Sequence, residues 1–248
     1  MRRLFYAGAL AEKITITGGD AHHLAHVMRA QIGDEITVAG AGGRVARMTV
    51  SAVVSDAVQL SLEEYLVQEE ENSHEVILVQ ALLKGEKMDF VVQKAVELGA
   101  TAFHPVMTER VVVRYDAKKA AARAARWQKI ADEAAKQCGR RALMPVAEIT
   151  ELSSLLQNAE FFHTSDTAVL FCYEGEAERS MRTALRALTA RRIVLVVGPE
   201  GGFSLAEAAA VCAASAEVVS LGRLILRAET AALTALVLAQ YELGNFDL

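Results

Sequence analysis

The chain has 248 residues, of which 52% are hydrophobic and 23% charged, a composition typical of globular proteins with a sizeable core. Its formal net charge of −5 excludes a uniform electrostatic attraction to nucleic acid, so any RNA contact requires a local basic surface. Three separated cysteines, Cys138, Cys172 and Cys212, fit neither a zinc pattern nor a disulfide framework and favour a reducing cytoplasm. We expect no signal peptide, because Glu12 and Lys13 interrupt the short N-terminal apolar run, and no membrane span.

Residues 1 to about 70 carry a β-strand pattern. Short segments rich in β-branched residues, separated by glycine-containing turns, are predicted strands at 14–17, 35–38, 44–50 and 57–60. A helix is predicted to begin at Asp20 as its N-cap and to run through Arg29. Together these elements predict a small β-barrel that carries one helix.

An acidic stretch follows the strand-rich part. It contains no lysine or arginine and includes Glu63, Glu64, Glu69, Glu70, Glu71 and Glu75. Because like charges do not pack together in a core, we interpret it as a domain junction, with one domain at 1–72 and the other at 73–248.

From Val76 the pattern changes to alternating strands and helices. Residues 76–79 form a continuous apolar run of the kind that is buried on both faces of a parallel sheet. Further strands are predicted at 101–106, 168–172, 193–197 and 218–221. A helix with Gly99 as its C-terminal cap follows the first strand, and others are predicted at 117–137, 205–214 and 229–241. This alternation favours an α/β domain with a parallel sheet.

The strand at 193–197 leads into a glycine-rich turn. Ser204 and Glu207 have the spacing of a capping box, which defines the start of the next helix. Ligands of open α/β sheets bind beyond the carboxyl ends of the strands, where this turn lies. The turn lacks the dinucleotide-binding and P-loop patterns, so ligand binding and a plain tight turn remain equally supported.

A second turn, at 220–231, contains an apolar segment, 224–226, that needs cover from a ligand or a partner subunit. Arg227 could be a solvated charge, and Glu229 could complement the positive end of a helix.

These two turns together resemble the SPOUT superfamily of RNA methyltransferases and, within it, the RsmE family. The resemblance is carried by Gly198-Pro199-Glu200-Gly201-Gly202-Phe203-Ser204 and by Leu221-Gly222 followed by Ile225-Leu226-Arg227-x-Glu229-Thr230-Ala231. It extends along the chain through Arg3-Leu4-Phe5, His22-His23-Leu24-x-x-Val27-Met28-Arg29, Gly85-Glu86-Lys87-Met88-x-x-x-x-Gln93-Lys94-x-x-Glu97-Leu98-Gly99, Thr108-Glu109-Arg110 and Gln137-Cys138-Gly139-Arg140. The sequence departs from the family pattern at Arg223-Leu224 and at Arg141-Ala142.

The resemblance implies an enzyme that uses S-adenosylmethionine to methylate N3 of a uridine in small-subunit ribosomal RNA, free or in an assembled subunit. It also implies an N-terminal PUA-like β-barrel, a C-terminal parallel α/β sheet with a trefoil knot, and a homodimer that packs through the knot. The implied cofactor-binding residues are Cys172, Tyr173, Glu174, Val197, Gly198, Pro199, Glu200, Gly201, Gly202, Leu221, Gly222, Ile225, Leu226, Thr230 and Ala231.

Uridine N3 must lose its proton before it can attack a methyl group, so the site needs a base or a cation that stabilises the uridine anion. Arg227 is the predicted cation, and Glu229 or Glu200 is a possible base, although Glu229 could equally be a helix cap.

The segment 114–141 is rich in lysine and arginine and could be a solvated helix face or could contact an RNA backbone. Trp127 within it is interpreted as a helix-packing residue. The residues that we expect to contact RNA are Arg3, His22, His23, Arg29, Arg110, Lys118, Lys119, Arg123, Gln137 and Arg140. His22 and His26 share a predicted helix face, but without a patterned third ligand we expect no metal site. Two alternatives remain: an RNA-binding module without catalysis, and a related methyltransferase that acts on transfer RNA or on another atom.

Overall fold

The computed structural model describes residues 3–41, 44–54, 56–67, 74–162, 164–174 and 179–246. The chain divides into two compact units, one formed by Met1–Glu71 with Ala135–Leu143 and the other by Asn72–Ala134 with Met144–Leu248. The boundary predicted between residues 72 and 73 lies outside the described residues. Part of the acidic stretch belongs to regular strands, where Glu64 pairs with Arg47 at 3.1 Å and Glu75 pairs with Arg192 at 2.7 Å.

The first unit is built on a five-stranded sheet with the order β1-β3-β4-β5-β2. Its strands are β1 Arg3–Phe5, β2 Lys13–Thr17, β3 Glu35–Ala39, β4 Val45–Val54 and β5 Ala57–Tyr65. β1 runs parallel to β3, and the other neighbours are antiparallel. The strands alternate between buried and exposed side chains, as in β2, where Ile14 and Ile16 are buried. One face therefore encloses an apolar core, and the predicted PUA-like β-domain is confirmed as a curled sheet.

The helix of this unit begins earlier than the sequence predicts. Helix α1 spans Gly18–His22 with Thr17 at its N-cap position, and a π-helical turn, His23–Val27, continues it. The prediction that Asp20 is the N-cap is wrong, because Gly18 and Gly19 already belong to the first turn. The Asp20 carboxylate instead pairs with Lys136 at 2.8 Å. The helical segment ends before Arg29, which takes the left-handed conformation with a φ of 54°.

The second unit is built on a seven-stranded sheet with the order β10-β12-β9-β11-β6-β7-β8, in which every neighbouring pair is parallel. Its strands are β6 Glu75–Ala81, β7 Ala102–Met107, β8 Thr150–Glu151, β9 Thr167–Cys172, β10 Arg179–Ser180, β11 Arg192–Val197 and β12 Glu217–Ser220. Its helices are α2 Lys87–Glu97, α3 Ala117–Cys138, α4 Leu152–Leu156, α5 Ala159–Phe162, α6 Met181–Arg186, α7 Leu205–Ala213 and α8 Ala228–Glu242. The last residues of α3, from Ala135, belong to the first unit.

The central strands β6 and β11 are buried along nearly their whole length, as their continuous apolar runs predict. Helix α2 buries one apolar face, which includes Met88 and Val91. Trp127 of α3 is 1% exposed, and its indole N–H donates a hydrogen bond to the Asp89 carboxylate at 3.0 Å. The interpretation of Trp127 as a helix-packing residue is therefore confirmed.

The last connection of the chain crosses back over the sheet. β12 lies outside β9, whereas α8 packs against β6, β11, α2 and α6. The segment 221–227 therefore returns from near the edge of the sheet to its middle, at the carboxyl ends of the strands. This return of the chain agrees with the predicted SPOUT-like α/β fold. Within the described residues, no helix is long and apolar enough to cross a membrane.

Candidate active site

A cavity of about 680 Å³ lies beyond the carboxyl ends of β9, β11 and β12. Its wall comes from three loops, at 172–174, 197–203 and 219–228, together with Lys87 and Ala231. Parallel strands with aligned register bring their following loops to one edge of a sheet. All of the residues predicted to bind cofactor line this cavity, except Gly201 and Thr230.

Gly201 faces another loop. Its carbonyl accepts a hydrogen bond from the Arg110 guanidinium at 3.3 Å, and a Cβ atom at this glycine would lie 3.2 Å from Cβ of Arg110. Thr230 is an exposed residue in the first turn of α8. The structure therefore places these two residues beside the cavity wall rather than in it.

The glycine-rich turn is fixed by local hydrogen bonds. Gly202 N–H donates to the Pro199 carbonyl at 3.0 Å, and Gly202 has a φ of 65°, which favours glycine. A Cβ atom at Gly202 would lie 2.6 Å from a Glu174 carboxylate oxygen, so the first two loops approach each other closely here. The capping box predicted at the start of α7 is confirmed, with reciprocal hydrogen bonds of 3.1 and 2.9 Å between Ser204 and Glu207.

Gln80 contacts this turn from the end of β6, and it was not identified from the sequence. It is fully buried at the end of β6, opposite Val197 in the register, and its amide N–H donates to the Gly198 carbonyl at 3.1 Å. A buried amide that satisfies the carbonyl of a tight turn fixes the position of that turn. The available signal was a polar residue directly after the apolar run at 76–79.

Lys87 was also missed, although it lies within a motif that carries the family resemblance. Its ammonium lies 3.1 Å from carboxylate oxygens of both Glu200 and Glu229. Hydrogen bonds to Glu200 and then to Glu229 hold the pKa of Lys87 above its ordinary value. The two carboxylates come from residues 29 positions apart in the sequence, so only the folded chain shows that they share one partner.

The hydrogen bonds of Glu200 affect its pKa and therefore its ability to act as the proposed base. Partial burial raises the pKa of Glu200, but hydrogen bonds from its own backbone N–H, from Lys87 and from the Lys84 N–H lower it to below its ordinary value. A carboxylate with a lowered pKa is a weaker proton acceptor. Glu229 is not part of the cavity wall; its side chain is 17% exposed and pairs with Lys87.

The third loop brings apolar and cationic side chains to the cavity. Leu224 and Ile225 are 81% and 89% exposed, although both line the cavity. Arg227 occupies the N-cap position of α8 in an extended conformation and lines the same cavity together with Arg223. Among the described residues, neither guanidinium has an ion-pair partner, so both charges are available to a ligand.

The residues predicted to contact RNA are distributed over both units. In the first unit His22, Arg29 and Gln137 are exposed, His23 and Arg3 are half-buried, and Arg140 is only 8% exposed. In the second unit Lys118, Lys119 and Arg123 lie exposed on α3, and Arg110 lies exposed beside Gly201. Lys119 pairs with Asp116 at 3.4 Å. The ring centroids of His22 and His26 are 4.6 Å apart, so these side chains do share a face.

Comparisons with known proteins agree with this geometry. The family model of the RNA methyltransferase domain matches residues 69–240, and that of the RNA methyltransferase PUA domain matches residues 16–58. The chain is 34% identical to the ribosomal RNA small subunit methyltransferase E of Bacillus subtilis, over 94% of this chain and 91% of that protein. The corresponding protein of Mycobacterium tuberculosis is 32% identical, over 94% and 89% of the two chains.

A solved structure is similar over the whole chain. The ribosomal RNA small subunit methyltransferase E of Neisseria gonorrhoeae, crystallised with bound S-adenosylmethionine, superposes with a TM-score of 0.85 at 30% identity and 97% coverage of both chains. The fold and the matched models define an RNA methyltransferase. The chain belongs to the RsmE family of ribosomal RNA small subunit methyltransferases, which confirms the resemblance drawn from the sequence motifs.

The surroundings of Cys172 generate a prediction about thiol reactivity. Burial raises the pKa of the Cys172 thiol to about 12, so the thiol stays protonated at neutral and mildly alkaline pH. We expect iodoacetamide at pH 8 to modify the exposed Cys138 and Cys212 in the native protein and to spare Cys172. Mass spectrometry of the digested protein measures this, and unfolding in urea should make all three react. Rapid native labelling of Cys172 would contradict the raised pKa of its thiol.

Proposed function

We propose that this protein transfers a methyl group from S-adenosylmethionine to N3 of a uridine in small-subunit ribosomal RNA. The observation that carries the proposal is the cavity formed by three loops at the carboxyl ends of β9, β11 and β12 in a chain of this family. The RNA substrate agrees with the names of the relatives, and the methyl donor with the ligand of the Neisseria gonorrhoeae protein.

The cavity has the size and chemistry that such a cofactor requires. Its volume of about 680 Å³ falls within the range of about 300–1,000 Å³ that small-molecule sites occupy. Leu221 and Leu226 offer apolar surface to an aromatic base, and the backbone around Gly198 and Gly222 offers hydrogen-bonding groups. Glu174 and Glu200 bring carboxylates to the wall, where they suit an ammonium group. The residues present therefore fit the proposed cofactor.

Filling the cavity tests this assignment. Ala231 lines the cavity from within α8, where a larger side chain introduces no backbone strain. We expect Ala231→Phe to weaken S-adenosylmethionine binding at least about tenfold, a loss of about 1.4 kcal/mol, because the ring occupies ligand volume. Its matched control is Thr230→Phe at the exposed neighbouring position, which should bind normally. Isothermal titration calorimetry measures both, and equal affinities would remove the cofactor from this cavity.

The bound cofactor supplies an activated methyl group on a sulfonium, so the protein has to align the uridine and favour loss of its N3 proton. Arg227 is positioned at the cavity wall with no ion-pair partner among the described residues, and its guanidinium suits the carbonyl oxygens of a uridine anion. The low pKa of Glu200 makes it a weak base. Glu229 does not line the cavity and pairs with Lys87, so neither carboxylate is well placed to act as the base, and stabilisation of the anion by Arg227 is the main contribution that we propose.

Arg227→Ala should lower the turnover number by about 10²–10³, as is typical for loss of one preorganised donor, while leaving cofactor affinity within a few fold. Arg227→Lys should rescue poorly, because a point charge does not reproduce a planar two-donor contact. Single-turnover rates at saturating RNA and cofactor, beside a cofactor titration, measure both effects. Normal chemistry at saturation would exclude Arg227 from catalysis.

The RNA contacts that we propose use exposed cations on both units. Lys118, Lys119 and Arg123 present charge along the first turns of α3, and phosphate contacts suit such side chains. Further proposed contacts, all in the first unit, are His22, His23, Arg29, Arg3 and Gln137. Arg110 contacts the loop at Gly201 and so couples a candidate RNA contact to the cavity. Arg140 is buried, which favours a supporting role for it over direct contact with RNA.

We further propose a homodimer that covers the apolar third loop. Leu224 and Ile225 are the most exposed aliphatic side chains of the cavity wall, and exposed apolar patches mark association sites. Ile225→Asp should shift the protein from dimer to monomer, because the charge would be buried at the interface. Light scattering at micromolar concentration measures the mass. Ile32→Asp, at an exposed position of the first unit, is the control and should leave the mass unchanged. A wild-type protein that is monomeric and fully active would contradict the dimer.

Mapping the modified nucleoside tests both the RNA that is methylated and the atom that receives the methyl group. Ribosomal RNA from a strain that lacks this gene should lose one 3-methyluridine in the small subunit, and the purified protein should restore it in vitro. Loss of a different modified nucleoside, or of one in transfer RNA, would favour a related methyltransferase that acts on another atom or on transfer RNA. A protein that binds RNA but no cofactor would be the non-catalytic module.

A further inference from the structure

Lys87 occupies a position that the helix geometry disfavours. It is the first residue of α2, where the positive end of the helix dipole opposes a cation. Two carboxylates offset this cost, since the ammonium lies 3.1 Å from both Glu200 and Glu229. Glu86 at the preceding N-cap position makes no side-chain cap hydrogen bond.

The three charged residues come from three different parts of the second unit. Lys87 begins α2, Glu200 lies in the glycine-rich turn after β11, and Glu229 lies in the first turn of α8, two residues after Arg227. The Lys84 backbone N–H also lies 3.3 Å from Glu200 Oε1, which adds a second link from the β6–α2 connection to the same turn. Lys87 therefore joins the second cavity loop to the helix that follows the third loop.

We infer that Lys87 is a positioning residue for methyl transfer, which holds the glycine-rich turn and the start of α8 in a fixed relation. The inference rests on the proposed function and adds a residue to it. Arg227 immediately precedes α8, so a shift of the first turn of this helix moves the guanidinium relative to the cavity. Glu200 belongs to the glycine-rich turn that lines the cavity, so the same ammonium holds both this turn and the start of α8.

The ion pairs are more important for geometry than for stability. The side chains of Lys87, Glu200 and Glu229 are 35%, 25% and 17% exposed, and partly exposed pairs contribute little to folding. Without the ammonium, two neighbouring carboxylates would repel each other and move apart. The expected signature is a loss of activity that exceeds any loss of thermal stability.

The chain offers a matched control on the same helix. Lys94 pairs with Glu97 at 2.7 Å, with side-chain exposures of 31% and 28%, close to those of the Lys87 pairs, and it does not line the cavity. Lys94→Met therefore removes a comparable ion pair from α2 and leaves the cavity wall intact. We expect Lys94→Met to retain wild-type turnover and cofactor affinity.

Lys87→Met should lower single-turnover methyl transfer by about 10², the typical cost of misplacing reacting groups by about 1 Å. The measurement uses labelled S-adenosylmethionine and small-subunit ribosomal RNA, both at saturation, so that the loss appears in turnover and is not hidden in substrate affinity. Lys87→Arg, which keeps the charge, should recover part of the rate. The melting temperatures of all variants should lie close to that of the wild type.

A double-mutant cycle separates positioning from a general effect of the substitution. Glu229→Gln should lower turnover alone, and combined with Lys87→Met it should add little, because the two residues act as a unit. Turnover of Lys87→Met within about twofold of wild type, or rate losses that multiply in the double variant, would overturn the inference. A wild-type protein that transfers no methyl group to RNA would instead contradict the proposed function. Transfer to an atom other than N3 would leave this comparison valid.

Discussion

The alignment of three parallel strands is the constraint on which the site depends. In the sheet register Cys172 at the end of β9 pairs with Val197 at the end of β11 and with Val219 near the end of β12. The three chains therefore leave the sheet at the same level, and their loops meet around one cavity. A slip of one residue in either pairing would move one loop by about 3.3 Å relative to the next, so the register of the strands fixes the position of the loops.

Hydrogen bonds then fix the glycine-rich turn, which the strand register brings to the cavity. Gln80 holds the Gly198 carbonyl from within the sheet, and the Ser204–Glu207 capping box fixes the start of α7. Glu207 also accepts a hydrogen bond from the Glu109 N–H at 2.7 Å, which ties the loop after β7 to the same turn. These bonds use backbone groups that the tight turn would otherwise leave unsatisfied, so the turn is rigid at the point where a ligand needs close access.

The charged side chains at the cavity differ in whether they have an ion-pair partner. Lys87 neutralises charge on Glu200 and Glu229, whereas Arg223 and Arg227 line the cavity without an ion-pair partner among the described residues. Free guanidinium groups in a cavity wall suit an anionic or electron-rich partner, such as an RNA base that has lost a proton. The same difference explains why Glu200, although it lies beside the cavity, is a poor proton acceptor.

The sequence by itself determined the element types and the family. The apolar runs of β6 and β11, the capping box at Ser204 and the two glycine-containing loops follow from local patterns, because strand burial, helix capping and tight turns depend on neighbouring residues. The short strands β8 and β10 carried no such pattern, and the start of α1 was misplaced because Gly18 and Gly19 suggested a turn. Only the tertiary structure decided that Lys87 bridges Glu200 and Glu229, that Gln80 supports Gly198 and that Gly201 faces Arg110. These contacts join residues far apart in the chain, and their partners are chosen by the packing of the sheet and by the return of the C-terminal segment, which no local pattern encodes.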